Sequence, residues 1–371
     1  MTVLAEASPR AAELYRDTIE RIHASQYGAI AKSLGGIGLI EVDLPACGEI
    51  AAAIKRMDVP KDHEEVELKN VPRDLIGNFF LFLVAICHQT SPLGQPRLEG
   101  RVHGQNLLGW DYLLAKFACR AELDVTLLDP ERWQTITAGD IDELFADDLL
   151  GKLLTGNHLR AELVQDLGRQ MTHRGWRSID AMLAYCGGRI ATGPTNLIET
   201  LGGFRAYRDP VFKKSLFFLT LMRNSGDWVY LDGDLLGPPV DYHEVRGHLR
   251  IGTVRITDTT LLNKIRSGVE VTEAEDIAIR GAIFNAILLI SYISGLHDPG
   301  RLHYLFWNIF RSVCTRANPK CSAERQQELL PRRYRNAPDG EGIVHCQFEN
   351  ACRSAHQPNP LLEHNCRTDF Y

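Results

Sequence analysis

Most of the chain mixes apolar and polar residues with the 3.6-residue period of helices that bury one face. The pattern predicts helices over 9–34, 74–90, 106–121, 138–154, 158–174, 178–187, 195–203, 210–224, 241–251, 258–267, 272–295 and 299–315. Residues 74–90 and 106–121 read as core helices. Ser178 and Thr272 stand where helix N-caps belong, and Glu275 follows Thr272 at the capping-box position. Strand-like alternation is weak. It is confined to "EVDL" (41–44) and "DWVYLDG" (227–233), both short. Pro and Gly place linkers at 91–103, 225–240 and 332–344. The expected fold is mainly α, in three regions: 1–125, 126–298 and 299–371.

Composition narrows the function classes. The 371 residues are 44% hydrophobic and 24% charged, enough to bury a substantial core. The net charge of −6 gives no global basic field, which counts mildly against DNA binding. The N-terminus lacks the basic and apolar runs of a signal peptide. The apolar runs "FFLFLVAIC" (79–87) and "AIFNAILLISYISG" (282–295) are short for a membrane span, so core helices and no membrane are expected. Nine cysteines without an export signal point to a reducing, cytoplasmic compartment, where clustered cysteines bind metal more often than they pair.

Four cysteines cluster late in the chain. Cys314 and Cys321 flank six residues, Cys346 and Cys352 flank five, and residues 322–345 lie between the pairs. Pro319 and Pro331 favour the turns that fold a chain around an ion. Four thiolates suit either Zn²⁺ or an iron–sulfur cluster. Cys366, His345, His356 and His364 are substitute ligands within reach along the chain. Cys47, Cys87, Cys119 and Cys186 sit in apolar or helical context and read as small core hydrophobes. "CTRANPKC" and "CQFENAC" resemble the two halves of the iron–sulfur loop in helix-hairpin-helix DNA glycosylases of the endonuclease III type, whose pattern is C-x6-C-x2-C-x5-C. That resemblance implies a [4Fe-4S] cluster.

A second constellation lies in the middle. In "DPVFKKSLFFLTLM" (209–222), Lys214 begins a helix of apolar residues with Lys213 beside it. Desolvation and a neighbouring cation both lower an amine's pKa and make it a nucleophile, although two solvated lysines in a first turn read as well. In "LLGPPVDYHEVRGHLRIG" (235–252), Asp241 follows a Pro-Pro turn at a helix start, where an Asp is also an ordinary N-cap. Taken together, the two stretches resemble the archaeal 8-oxoguanine glycosylase branch of the same superfamily. "KSLFFLTLM" is similar to its K-T-x-x-F-x-x-x-M helix, and "PPVDY" to its P-V-D segment. The resemblance implies two packed helical subdomains with a C-terminal cysteine-ligated loop. It makes Lys214 a Schiff-base nucleophile and Asp241 the carboxylate that stabilises charge at C1′. "LGGFRAYRD" (201–209) takes the place of the hairpin.

The partner implied is duplex DNA with a modified base flipped into a pocket. His88 and Gln89, at the end of a core helix, are candidates to read base edges, and Trp110 to stack. Trp110 and Tyr112 also read as core residues. Residues 301–335 carry eight Arg or Lys against two Glu, a local basic stretch fit for phosphate contact. Two other functions fit these residues: an N-glycosylase on free nucleosides, similar to the queuosine-salvage enzymes, and a non-catalytic nucleic-acid binder. No obligatory protein partner is expected.

Overall fold

The computed structural model describes residues 38–57, 59, 68–317, 319–321 and 346–371. The helix expected over 9–34, the linker at 332–344 and His345 lie outside the described residues. Along the described chain run β1 (Ile40–Val42), α1 (Leu44–Ile54), α2 (Ile76–Ile86), β2 (Glu99–Val102), β3 (Gln105–Leu108), α3 (Gly109–Leu123), α4 (Pro130–Trp133) and α5 (Ala138–Leu144). Then follow α6 (Asn157–His173), α7 (Asp180–Tyr185), α8 (Leu197–Gly202), α9 (Lys213–Asn224) and α10 (Tyr242–Ile251). The last are β4 (Val254–Ile256), α11 (Thr259–Ser267), α12 (Glu273–Ser294) and α13 (Pro299–Ser312). The fold is mainly helical, as the periodicity predicts.

The chain forms two compact units. The cysteine unit takes its residues from the stretch up to 63 and from Asp234–Cys366; the lysine unit takes its from 64–233 and Arg367–Tyr371. These boundaries differ from the three sequence regions because early and late segments pair. In the cysteine unit β1 lies antiparallel to β4, with Ile40 opposite Ile256 and Val42 opposite Val254. Asp43 then caps α1, accepting the Ala46 N–H at 2.9 Å, and Pro45 fits the first turn, where its missing N–H costs nothing. The buried face of α1 (Ala46, Ile50, Ala51, Ile54) packs on α12.

In the lysine unit α2 is buried on all sides. Phe79 and Phe82 stack on Phe117 of α3 at 5.0 and 4.6 Å, and Trp133 meets Phe82 edge-on at 5.7 Å. Helices α6 and α9 cover other faces of α2. Several polar groups against α2 are paired, as burial demands. Asn78 Nδ2 donates to the Leu128 and Arg177 carbonyls, its Oδ1 accepts from Ile179 N, and Tyr207 Oη donates to Leu81 O.

Several local expectations are corrected. Residues 99–108 form a hairpin, β2 against β3, so the expected helix over 106–121 starts only at Gly109 and the linker at 91–103 contains a strand. His103 and Gly104 have φ of 51° and 78°, the left-handed pair that closes a two-residue hairpin. Residues 227–233 form no strand. Trp228 is buried and donates Nε1–H to Asp180, while Val229 and Leu231 are 83% and 71% exposed. Alternation without a partner strand makes no ladder. The helix expected over 138–154 stops at Leu144, because the Asp147 carboxylate turns the chain by accepting from Leu149 N and Leu150 N. "EVDL" yields only β1, ending at the Asp43 cap. Ile179, not Ser178, holds the N-cap position of α7, although the Ser178 hydroxyl accepts the Asp180 N–H at 3.2 Å. The Thr272–Glu275 capping box forms as expected.

By length and composition α12 could cross a membrane, yet 78% of its apolar window is buried in the folded protein, as in a core helix. Helices α10 and α13 approach closely at Gly247, where an added Cβ would run into the Phe310 ring. Gly247→Ala should therefore destabilise the protein by roughly 1–3 kcal/mol, the usual cost of overpacking. Urea melts compared with wild type measure this; an unchanged midpoint would refute the close approach.

Candidate active-site lysine and cysteine-lined cavity

A helix leaves its last carbonyls without intrahelical partners. At the end of α2 those carbonyls are buried, and two cations satisfy them. Lys214 Nζ donates to Ala85 O at 2.5 Å. Arg160, from α6, donates to Ile86 O and, at 2.7 Å, to His88 O. Lys214 is 0% exposed. Sequence reasoning missed Arg160: its spacing on α6 is ordinary, and nothing local marks it as buried.

Helix α9 is started by backbone capping that delivers Lys214 inward. The buried Asp209 carboxylate accepts from Val211 N at 3.1 Å and Lys213 N at 2.8 Å. Phe212, between them, has φ of 57°, left-handed for a non-glycine residue. Such strain is held only where the surroundings determine it, and it is frequent at functional sites. The hydroxyls of Ser215 and Thr220 on α9 are buried with no hydrogen-bond partner.

This environment changes the amine's chemistry. Burial, with Lys213 and Arg160 adding repulsion and Cys87 and Asp369 opposing it, pulls the Lys214 pKa down to about 7. An amine with such a pKa is about half deprotonated at neutral pH, and its deprotonated form is nucleophilic. His88 Nδ1 lies 3.5 Å from both Lys214 Nζ and Arg160 Nη1. Burial and then those two cations push its pKa well below the usual value, so the imidazole is neutral. The solvated-lysine reading of this segment is thereby excluded.

Gln89 (φ 52°) is engaged by residues 368–371: its backbone N donates to Tyr371 O at 3.1 Å and Nε2 to Thr368 O at 3.0 Å. Trp110 is half-buried, edge-on to Phe217 at 4.7 Å, and Lys213 Nζ lies 4.8 Å over the Phe217 ring. Tyr112 is a core residue donating to Phe145 O. Cys47, Cys87 and Cys186 are buried, whereas Cys119 is half-buried beside His103 at 3.1 Å.

Asp241 belongs to the cysteine unit. It is the N-cap of α10, buried, with its Oδ1 accepting from His243 N at 2.6 Å and its own N–H held by Glu244 in a capping box. The ordinary N-cap role therefore operates, whatever else the carboxylate does. Two buried arginines of the same helix reach the cysteine segment. Arg246 Nε donates to Cys314 O at 2.9 Å, and Arg250 donates to Thr315 O at 2.7 Å and to Cys314 Sγ at 3.3 Å. Glu363 pairs with Arg246 at 2.9 Å.

Cys314, Cys321, Cys346 and Cys352 line one cavity, with Arg250 and Lys320 at its wall. The structure thus gathers the cysteine pairs that residues 322–345 separate in sequence. Burial and then the neighbouring cysteines push the Cys346 thiol far up, and the same causes push Cys352 up to about 11. Thiols that raise one another's pKa are a donor set that a cation relieves, so these residues fit a thiolate-bound metal group. Among the described residues, Asp276, His364 and Cys366 are the group of three whose ligand atoms all lie within 4.8 Å of one another.

His364 and Cys366, candidate substitute ligands, lie instead with Asp276. His364 Nε2 is 2.7 Å from Asp276 Oδ1, and Arg280 clamps the same carboxylate at 2.8–3.1 Å. Burial would raise the Asp276 pKa, but Arg280 and His364 hold it well below the carboxylate range. This carboxylate is already neutralised by protein. His356, another substitute, pairs with Glu349 at 2.8 Å on the surface.

No family model matches the chain, and no curated protein matches it.

The Lys214 pKa has a thermodynamic consequence. The unfolded amine keeps its proton to about pH 10.5, whereas the folded one loses it from about pH 7. Between these values the unfolded state binds more protons, so stability rises with pH, by on the order of 1 kcal/mol per unit from this group. Lys214→Met should lose that increment, read as the difference between wild-type and variant urea stabilities at pH 7 and pH 9. A constant difference would refute the depressed pKa.

Proposed function

We propose that the protein is a DNA N-glycosylase that removes a damaged or modified base and then cleaves the strand as a lyase through Lys214. One observation carries the reading: a fully buried lysine amine with its pKa lowered to about 7. An amine in that state can attack C1′ as the glycosidic bond breaks, and the base leaves with the bonding pair and takes up a proton. Opening of the sugar ring and loss of the amine proton give an imine. The 3′-phosphate then leaves by β-elimination. The resemblance assigns Asp241 the carboxylate that stabilises positive charge on the sugar. His88, neutral and within 3.5 Å of Nζ, positions the amine without competing for its proton.

In this reading Cys314, Cys321, Cys346 and Cys352, which share one cavity, hold a metal group, and the resemblance of their spacing in sequence favours a [4Fe-4S] cluster over zinc. Held by these four thiolates, such a group would anchor the segment rather than act on the base. Anaerobically purified protein should absorb broadly at roughly 400 nm, and Cys346→Ser should lose the band. A colourless zinc protein would overturn the cluster assignment and leave the lysine chemistry standing.

The activity itself is tested on modified-base duplexes, 8-oxoguanine first, with borohydride present. Wild type should form a covalent protein–DNA adduct. Lys214→Gln should abolish it, and Asp241→Asn should slow base release by about 100-fold or more. Undiminished trapping in Lys214→Gln would remove Lys214 from the mechanism. Release of bases from free nucleosides, with none from DNA, would transfer the same chemistry to a nucleoside substrate.

A further inference from the structure

The first turn of α10 and helix α13 carry a run of rings that base release does not use, of which Tyr304 is buried and Tyr242, His243 and Trp307 are half-buried. Tyr242 and His243, which follow Asp241 directly, have ring centres 4.3 Å apart. His243 stands edge-on to Trp307 at 6.0 Å, and Trp307 lies nearly parallel to Tyr304 at 6.2 Å and 12°. Two guanidinium groups top the run. Arg311 lies 4.6 Å over Trp307, and Arg316 lies 5.4 Å over Tyr242. Glu363 also pairs with Arg316, and Arg246 donates to His243 Nδ1 at 2.9 Å, so both ends are fixed from beneath. Tyr242, His243, Trp307, Arg311 and Arg316 all keep solvent-facing surface.

We infer that this aromatic–arginine surface is a stacking platform for unpaired nucleotides of a nucleic-acid strand. The half-buried rings of Tyr242, His243 and Trp307 keep part of their surface for a base, and Arg311 and Arg316, which lie over two of them, carry the charge that meets the phosphates between bases. The chemistry of the surface selects this partner. The apolar residues of α13 (Leu302, Leu305, Phe306, Ile309, Phe310) are buried within the unit, which leaves rings and cations rather than an apolar groove for a protein segment. The basic excess of 301–335 is placed here in part: Arg311 and Arg316 are the cations over the rings. Because Tyr242 and His243 adjoin Asp241 in sequence, a strand on the platform runs beside that carboxylate. The inference deepens the glycosylase reading and rests on its nucleic-acid substrate.

The test is the affinity of the full-length protein for a fluorescently labelled single-stranded ten-nucleotide DNA, read by anisotropy at two salt concentrations. Trp307→Ala should weaken binding about 10-fold or more, Trp307→Phe should retain most of it, and Arg311→Gln should weaken it and reduce the salt dependence. If Trp307→Ala fails to fold, Arg311→Gln, a surface change, still decides. No binding by wild type, or equal binding by wild type and both variants, overturns the platform. Base release fails separately: binding that depends on Trp307 in a protein that excises nothing supports the platform while refuting the glycosylase. Hydrolysis of free nucleosides without oligonucleotide binding refutes the platform.

Discussion

The lysine unit turns on the buried end of α2. A helix that is apolar on every side must stop somewhere, and its last carbonyls then face a medium without water. Lys214 and Arg160 fill that role, each with a proton donor that burial makes costly to keep charged. The arrangement satisfies the carbonyls of Ala85, Ile86 and His88 and depresses the lysine pKa at once. A lysine recruited to close a helix thereby has its pKa lowered towards neutrality.

Helix α10 does comparable service in the cysteine unit. Its first residue is capped by Asp241, and its buried arginines, 246 and 250, reach the carbonyls of Cys314 and Thr315. Gly247 between them lets α13 come close enough to bring Cys314 within reach. Side chains spaced along three turns thus link a candidate carboxylate, a ring-lined surface and a four-cysteine cavity. The close approach of α10 to α13 rests on Gly247, where an added Cβ would meet the Phe310 ring.

Legibility of the fold followed the range of the forces involved. The helical period, the Thr272–Glu275 box and the helix over 241–251 depend on neighbours within four residues, and they were readable. The hairpin at 99–108 was missed because its signal is two residues, His103 and Gly104, taking left-handed angles that only Gly advertises. The strand expected at 227–233 failed for the converse reason: alternation is local, but a strand needs a partner. Among candidate site residues, the four cysteines are marked by residue type and spacing, and Lys214 by a resemblance of its segment to a known motif, its own neighbours leaving a solvated lysine equally open. Arg160, Asp209 and the 368–371 segment at Gln89 are not marked, since each acts on a residue far away in sequence.

The sequence by itself determined that the protein is mainly helical, which cysteines cluster, and that a lysine pair opens an apolar helix. These are matters of composition and short-range periodicity. Only the tertiary structure decided that Lys214 is wholly desolvated while Lys213 turns to Phe217 and Cys87, that cysteines separated by residues 322–345 share one cavity, and that His364 and Cys366 join Asp276 instead. The physical reason is common to all three. Desolvation and ligand spacing are set by which distant segments pack together, and no window of neighbouring residues contains that information.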